Sequence, residues 1–157
     1  MTNEDIVRRY CVAVSTRDHD TAESLRHRDW QCEWPQSGER VTSSAAMRAI
    51  IDAYPGGAWE AKERRLRGSE DQYVVTPSGT LVAVAGAGDT WTAEWSNLYP
   101  NDREYLVVDI IQLRDGRVYR ETTYWAEPFP APAWRREWVE LDQPAEPAEP
   151  AGPGGRA

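Results

Sequence analysis

The strongest constraint on this chain is a switch of hydrophobic period about a third of the way along it. Ile6, Val7, Tyr10, Cys11 and Val14 recur at i, i+1, i+4, i+5 and i+8, which is one face of a helix. Thr2, with Asp5 three residues on, has the form of a capping box. Asp18-His19-Asp20 breaks the pattern, and Asp20 is placed to cap a second short helix anchored by Leu25. Trp30 to Trp34 alternates as a short strand, ended by Pro35 and the Ser37-Gly38 turn. Ser43 or Ser44 opens a third helix, with Met47, Ile50, Ile51 and Tyr54 on one face and Pro55-Gly56-Gly57 as its stop.

Beyond that point the pattern is strand and turn. Trp59 to Arg67 is polar and alternating, as in an exposed or edge strand. Gln72 to Thr76, Thr80 to Ala85 and Thr90 to Tyr99 follow, and Tyr105 to Leu113 is the most apolar run. Asp115-Gly116 marks a tight hairpin into Val118 to Trp125. Pro128, Pro130 and Pro132 force an extended crossing before a short helix from Ala133 to Leu141, whose Trp134 and Trp138 would clamp it to the body. Three helices before a long antiparallel meander make an α+β pattern. A strongly curved antiparallel sheet wrapped around those helices gives a cone-shaped α+β barrel, with an apolar pocket where the helices cannot fill it.

Composition removes several alternatives. The net charge of −8 opposes nucleic-acid binding, which needs a basic face. No apolar run approaches the ~20 residues that span a bilayer, so no membrane association is expected. The first residues lack the basic and apolar regions of a signal peptide. Cys11, Cys32, His19 and His27 make no usual zinc spacing, so the cysteines read as reduced and buried in a cytoplasmic protein, with no metal and no cofactor expected. The high ratio of Arg to Lys, with Lys62 the one lysine, suggests a GC-rich bacterial genome. Residues 142–157, rich in Pro, Ala, Glu and Gly, read as a disordered tail after a single domain of residues 1–141. The tail carries only −2 of the charge, so the acidity belongs mostly to the body.

The opening IVRRYCVAVSTRDHDTAESL, the WPQSGERV turn with the helix after it, and the closing RDGRVYRETTYWAEPF together resemble the nuclear transport factor 2-like superfamily, in its SnoaL-like branch. The resemblance covers about residues 4 to 130. It implies a conical fold shared by ketosteroid isomerases, polyketide cyclases, limonene-type epoxide hydrolases, dehydratases and non-catalytic members, so the fold alone does not fix the reaction. Tyr10 falls on the tyrosine that donates to the oxyanion in ketosteroid isomerases, and Asp109 falls near their protonated aspartate. Trp34, with Glu33 beside it, stands where those isomerases carry the general base. Asp109 also matches a strand carboxylate of the epoxide hydrolases, whose second carboxylate falls on Thr123. SnoaL-type cyclases carry an acidic residue near a Trp late in the last strand; here Trp125 is followed by Ala126 and Glu127.

Asp109 stands out because it interrupts Leu106-Val107-Val108 and Ile110-Ile111. A carboxyl buried there is either ion-paired with an Arg or protonated and poised for acid/base work. By alternation Tyr119, Glu121, Thr123 and Trp125 share one face of the last strand, which the resemblance turns toward the pocket. Glu121 is then a second interior carboxylate; with the faces inverted it would pair with a surface Arg such as Arg117. Tyr10 is a buried ring whose hydroxyl meets either a ligand or a backbone carbonyl. Glu94 faces inward with Thr92 and Ser96, or outward. Trp34, Trp59, Trp91, Trp95 and Trp125 either pack the core or line a pocket for a flat ligand, with Trp34 and Trp125 the best placed to touch it.

The expectation is a cofactor-independent small-molecule enzyme acting on an apolar ligand by carboxylate acid/base chemistry: a cyclase, isomerase, dehydratase or epoxide hydrolase. Asp109, Glu121 and Tyr10 are the catalytic candidates, and Trp34, Trp125, Thr123, Tyr119 and Glu94 the substrate-binding ones. The alternative is a non-catalytic ligand-binding or dimerisation module of the same fold. A homodimer is expected in either case.

Overall fold

The computed structural model describes residues 1–57, 74–76 and 79–140, with side chains for 1–57 and 80–140. Helix α1 (Asn3–Ser15) begins at the expected capping box: the Thr2 hydroxyl accepts from the Asp5 N–H, and the Asp5 carboxylate accepts from the Thr2 N–H. Its inner face buries Ile6, Val7, Tyr10, Cys11 and Ala13. Helix α2 (His19–Leu25) is capped by Asp18, whose side chain accepts from Thr21 N–H. The expected cap, Asp20, lies inside the first turn, where its charge opposes the positive helix end and meets Arg48 at 2.6 Å. Strand β1 (Arg26–Trp34) starts upstream of Trp30 and includes His27. A short strand β2 (Glu39–Val41), which the sequence pattern did not suggest, pairs back onto it. Helix α3 (Ser44–Asp52) is capped by Ser43.

The second half is strand, as the period indicates: β3 (Val74–Thr76), β4 (Gly79–Ala87), β5 (Thr90–Leu98), β6 (Glu104–Arg114) and β7 (Arg117–Ala126). The strand expected over Trp59 to Arg67, Trp59 itself and the tail from Asp142 lie outside the described residues. The sheet order is β2-β1-β7-β6-β5-β4-β3. Every neighbouring pair is antiparallel except β1 with β7, which is parallel. The meander is therefore as expected, and the sheet as a whole is mixed. Alternation of side chains is the same in both strand directions, so no sequence pattern distinguishes them.

Two local features shape the cone. Asp115 and Gly116 both adopt positive φ (51° and 67°), the tight hairpin geometry that Asp-Gly favours. Just after it, Gln112 faces Arg120 while Leu113 faces Val118, leaving Tyr119 without a partner. This bulge inserts one residue, so Val118 and Glu121 both point inward although three positions apart. On the far side, Trp91 packs over Gly86: a Cβ there would lie 2.7 Å from Trp91 Cα.

The core lies between α1, α2 and the inner sheet face, with Val7, Tyr10, Cys11, Cys32, Ile111 and Val118 fully enclosed. Trp30, Trp91 and Trp95 are buried in it. Trp134 and Trp138 are not clamped down: they are 74% and 73% exposed. Their segment, Ala133–Trp138, is a 3-10 helix. At three residues per turn, positions i and i+4 diverge by roughly 120°, so the two indoles cannot share a face.

Candidate active site

A cavity of about 450 Å³ opens between the sheet and the helices, within the usual size range of small-molecule pockets. Among the polar groups it receives are those of α1, β1, β6 and β7. Helix α1 supplies Tyr10, β1 supplies Arg26 and Cys32, β6 supplies Asp109, and β7 supplies Glu121 and Thr123. Trp34 and Trp125 form an edge-to-face pair on its wall, centroids 5.7 Å apart. Tyr54, Tyr99 and Tyr105 extend the aromatic lining, with centroids 5.2 and 4.9 Å apart in sequence.

The two carboxyl groups are neighbours by register. On the β6–β7 ladder Asp109 faces Thr123 and Ile111 faces Glu121, so the acids are diagonal on one inner face. Glu121 Oε1 accepts from Tyr10 Oη at 2.6 Å and from Trp30 Nε1 at 2.5 Å. Asp109 Oδ1 accepts from the Thr123 hydroxyl at 2.9 Å, and Cys32 Sγ lies 3.7 Å from that hydroxyl. The Tyr10 oxygen in turn accepts from Arg26 Nε at 2.9 Å. The guanidinium lies 3.8 Å from the centroid of the Trp30 ring, and its Nη1 donates to Ser44 Oγ at 3.2 Å.

Burial raises the Asp109 pKa well above the ordinary carboxyl value, and the charge of Glu121 raises it further. The Thr123 hydrogen bond and Arg26 oppose this without reversing it. Burial and the neighbouring charge therefore both bias Asp109 toward its protonated form. Burial, then the Glu121 charge, also hold Tyr10 well above the usual phenol value, so it stays a neutral hydrogen-bond donor. Burial likewise raises both thiols, which keeps Cys11 and Cys32 from being nucleophiles.

The cavity brings together Tyr10, Trp34, Asp109, Glu121, Thr123 and Trp125. Among the described residues no Arg forms an ion pair with Asp109, and Glu121 is 5% exposed, turned away from Arg117, which donates to the Ser24 carbonyl. Two expected residues are outside. Tyr119 is the bulge residue and leaves the inner face, stacking edge-on with His27 beneath Arg114. Glu94 is exposed, because Trp91, Ala93 and Trp95 take the inner face of β5. Tyr10 also has a different part from the expected one. Its one hydrogen goes to Glu121, so it orients that carboxylate.

Arg26 and Trp30 escaped the sequence reading. Trp30, Cys32 and Trp34 occur at i, i+2 and i+4, an alternation that could have placed Trp30 inward. Arg26 gave no signal, since nothing local marks the helix-to-strand change there. Among the described residues no three His, Cys, Asp or Glu side chains gather as a metal site, and no helix is long and apolar enough to cross a membrane.

A curved sheet with three N-terminal helices is the nuclear transport factor 2-like α+β cone that the sequence resembles. The chain is similar to a nuclear transport factor 2-like protein of unknown function from Burkholderia xenovorans LB400, with 29% identity over 88% of this chain and 94% of that one and a TM-score of 0.65. A proposed ketosteroid isomerase from Kribbella flavida DSM 17836 has 23% identity, coverage of 92% and 91%, and a TM-score of 0.60. A proposed SnoaL-like polyketide cyclase from Shewanella putrefaciens CN-32 has 14% identity, coverage of 80% of each chain, and a TM-score of 0.55. No family model and no curated protein matches the sequence.

Proposed function

We propose that the protein is a cofactor-independent enzyme that moves protons on an apolar, carbonyl-bearing small molecule. The observation that carries this reading is the Asp109–Glu121 pair: two carboxyls diagonal on one cavity wall, where burial and the charge of Glu121 both push the Asp109 pKa up. An acid and a base of this kind, side by side, suit enolisation and the cyclisations, isomerisations and dehydrations built on it. Asp109 gives its proton to the ligand oxygen, and Glu121 takes one from the adjacent carbon; the reverse transfers restore the pair. Tyr10 and Trp30 hold Glu121 Oε1 and so orient the carboxylate. Trp34 and Trp125 bound the apolar part of the ligand.

The test is deuterium exchange α to the carbonyl of 2-tetralone, followed by NMR in heavy water. Wild-type protein should accelerate exchange, and Asp109→Asn should abolish the acceleration while keeping its fold by circular dichroism. Exchange no faster than in buffer, or undiminished in a folded Asp109→Asn, would overturn the assignment in favour of a binding module.

The homodimer implied by the resemblance has a candidate face on the outside of β6 and β7. Leu106, Val108 and Tyr124 are 55%, 42% and 44% exposed there, and Val108 stands opposite Tyr124 in register. A second copy covering that face predicts a dimer in sedimentation velocity that Val108→Asp converts to monomer.

A further inference from the structure

We infer that the ligand of this cavity is an apolar carboxylic acid whose carboxylate is held by Arg26. The inference deepens the proposed function, but it needs only that the cavity takes a small molecule. Arg26 is fixed on three sides, by Tyr10, Ser44 and the Trp30 ring. Those contacts use Nε and one hydrogen of Nη1. Among the described residues nothing accepts from Nη2, and no carboxylate forms an ion pair with the guanidinium. A planar cation held rigid, facing a cavity and lacking an anion, has the geometry that receives a carboxylate through two parallel hydrogen bonds.

The rest of the wall agrees with an amphipathic acid. Arg17 and His19 line the cavity along with Arg26, at the junction of α1 and α2. Of the acids that line it, Glu121 Oε1 is engaged by two donors, Tyr10 and Trp30, and Glu39 by the Ser37 hydroxyl. The third, Asp109, is the protonated one. The aromatic wall formed by Trp34, Trp125 and Tyr99 offers the apolar body of such a ligand ring faces and edges to pack against. The carboxylate then anchors one end at Arg26 and leaves the carbonyl-bearing end for Asp109.

The test compares two probes of one shape, 2-naphthoate and 2-naphthamide, by isothermal titration calorimetry at pH 7.5. Wild-type protein should bind the acid at least roughly tenfold more tightly than the amide, as a charge-assisted pair requires. Arg26→Gln should bring the acid down to the level of the amide, and Arg26→Lys should retain part of the preference. Equal affinities in the wild type, binding of neither probe, or a preference that survives Arg26→Gln would each overturn the inference. The wild-type comparison stands even if a variant fails to fold. Acid preference without 2-tetralone exchange would refute only the catalytic reading, and exchange without acid preference would refute only this one.

Discussion

Asp109 and Glu121 lie diagonally across the β6–β7 ladder, and the charge of Glu121 helps keep the proton on Asp109. An ion pair with an Arg would lower the Asp109 pKa toward ionisation. This pair does the opposite to Asp109, because burial disfavours a second negative charge beside the first.

The retained proton makes stability depend on pH in a defined direction. Asp109 has a raised folded-state pKa, so its contribution is fully present below the ordinary value of 3.8 and is lost as pH rises toward the folded value. The loss is at most about 1.4 kcal/mol per pH unit for one proton. Asp109→Asn, which cannot ionise, should therefore gain stability relative to wild type as pH rises from 4.5 to 7.5. Urea unfolding at the two pH values measures the difference; a stability of the variant minus that of wild type that falls with rising pH would contradict the assigned protonation.

Removing the neighbouring charge should move Asp109 alone. In Glu121→Gln the second-largest cause of the raised pKa is gone, while burial remains. The Asp109 titration should shift to lower pH and still lie above 3.8. Side-chain carboxyl chemical shifts of carbon-labelled aspartate report it directly, and an unchanged or higher midpoint would show that the two groups do not interact.

Tyr10 connects Arg26 to Glu121, so its hydroxyl should matter for stability as well as for the site. Tyr10→Phe leaves Arg26 Nε without its acceptor and Glu121 with one donor fewer. The expected cost is about 1–3 kcal/mol in denaturant unfolding. A loss no larger than that of a surface substitution would mean that water replaces the hydroxyl without penalty.

Gly86 offers a test of the sheet independent of the site. A methyl group there meets the Thr90 carbonyl, the Trp91 backbone and its indole, all closer than 3.0 Å. Gly86→Ala should cost roughly 1–3 kcal/mol by overpacking. A neutral Gly86→Ala would place Trp91 elsewhere.

What the residues declared on their own was local. The capping box at Thr2, the apolar face from Ile6 to Cys11 and the Asp115-Gly116 hairpin all act within a few positions, so their pattern is their structure. Asp109 was legible for a similar reason: a carboxyl inside an apolar strand is costly wherever that strand packs. The tertiary structure decided what depends on residues far apart. It set β1 parallel to β7, a direction that alternation does not encode. Through one bulge it sent Tyr119 outward and Glu121 inward, against a strict period of two. It also carried Arg26 and Trp30 from the helix-strand junction to the acidic pair, more than ninety positions along the chain in the case of Trp30 and Glu121. Periodicity reports which face a side chain takes within its own element; only packing decides which charges meet there.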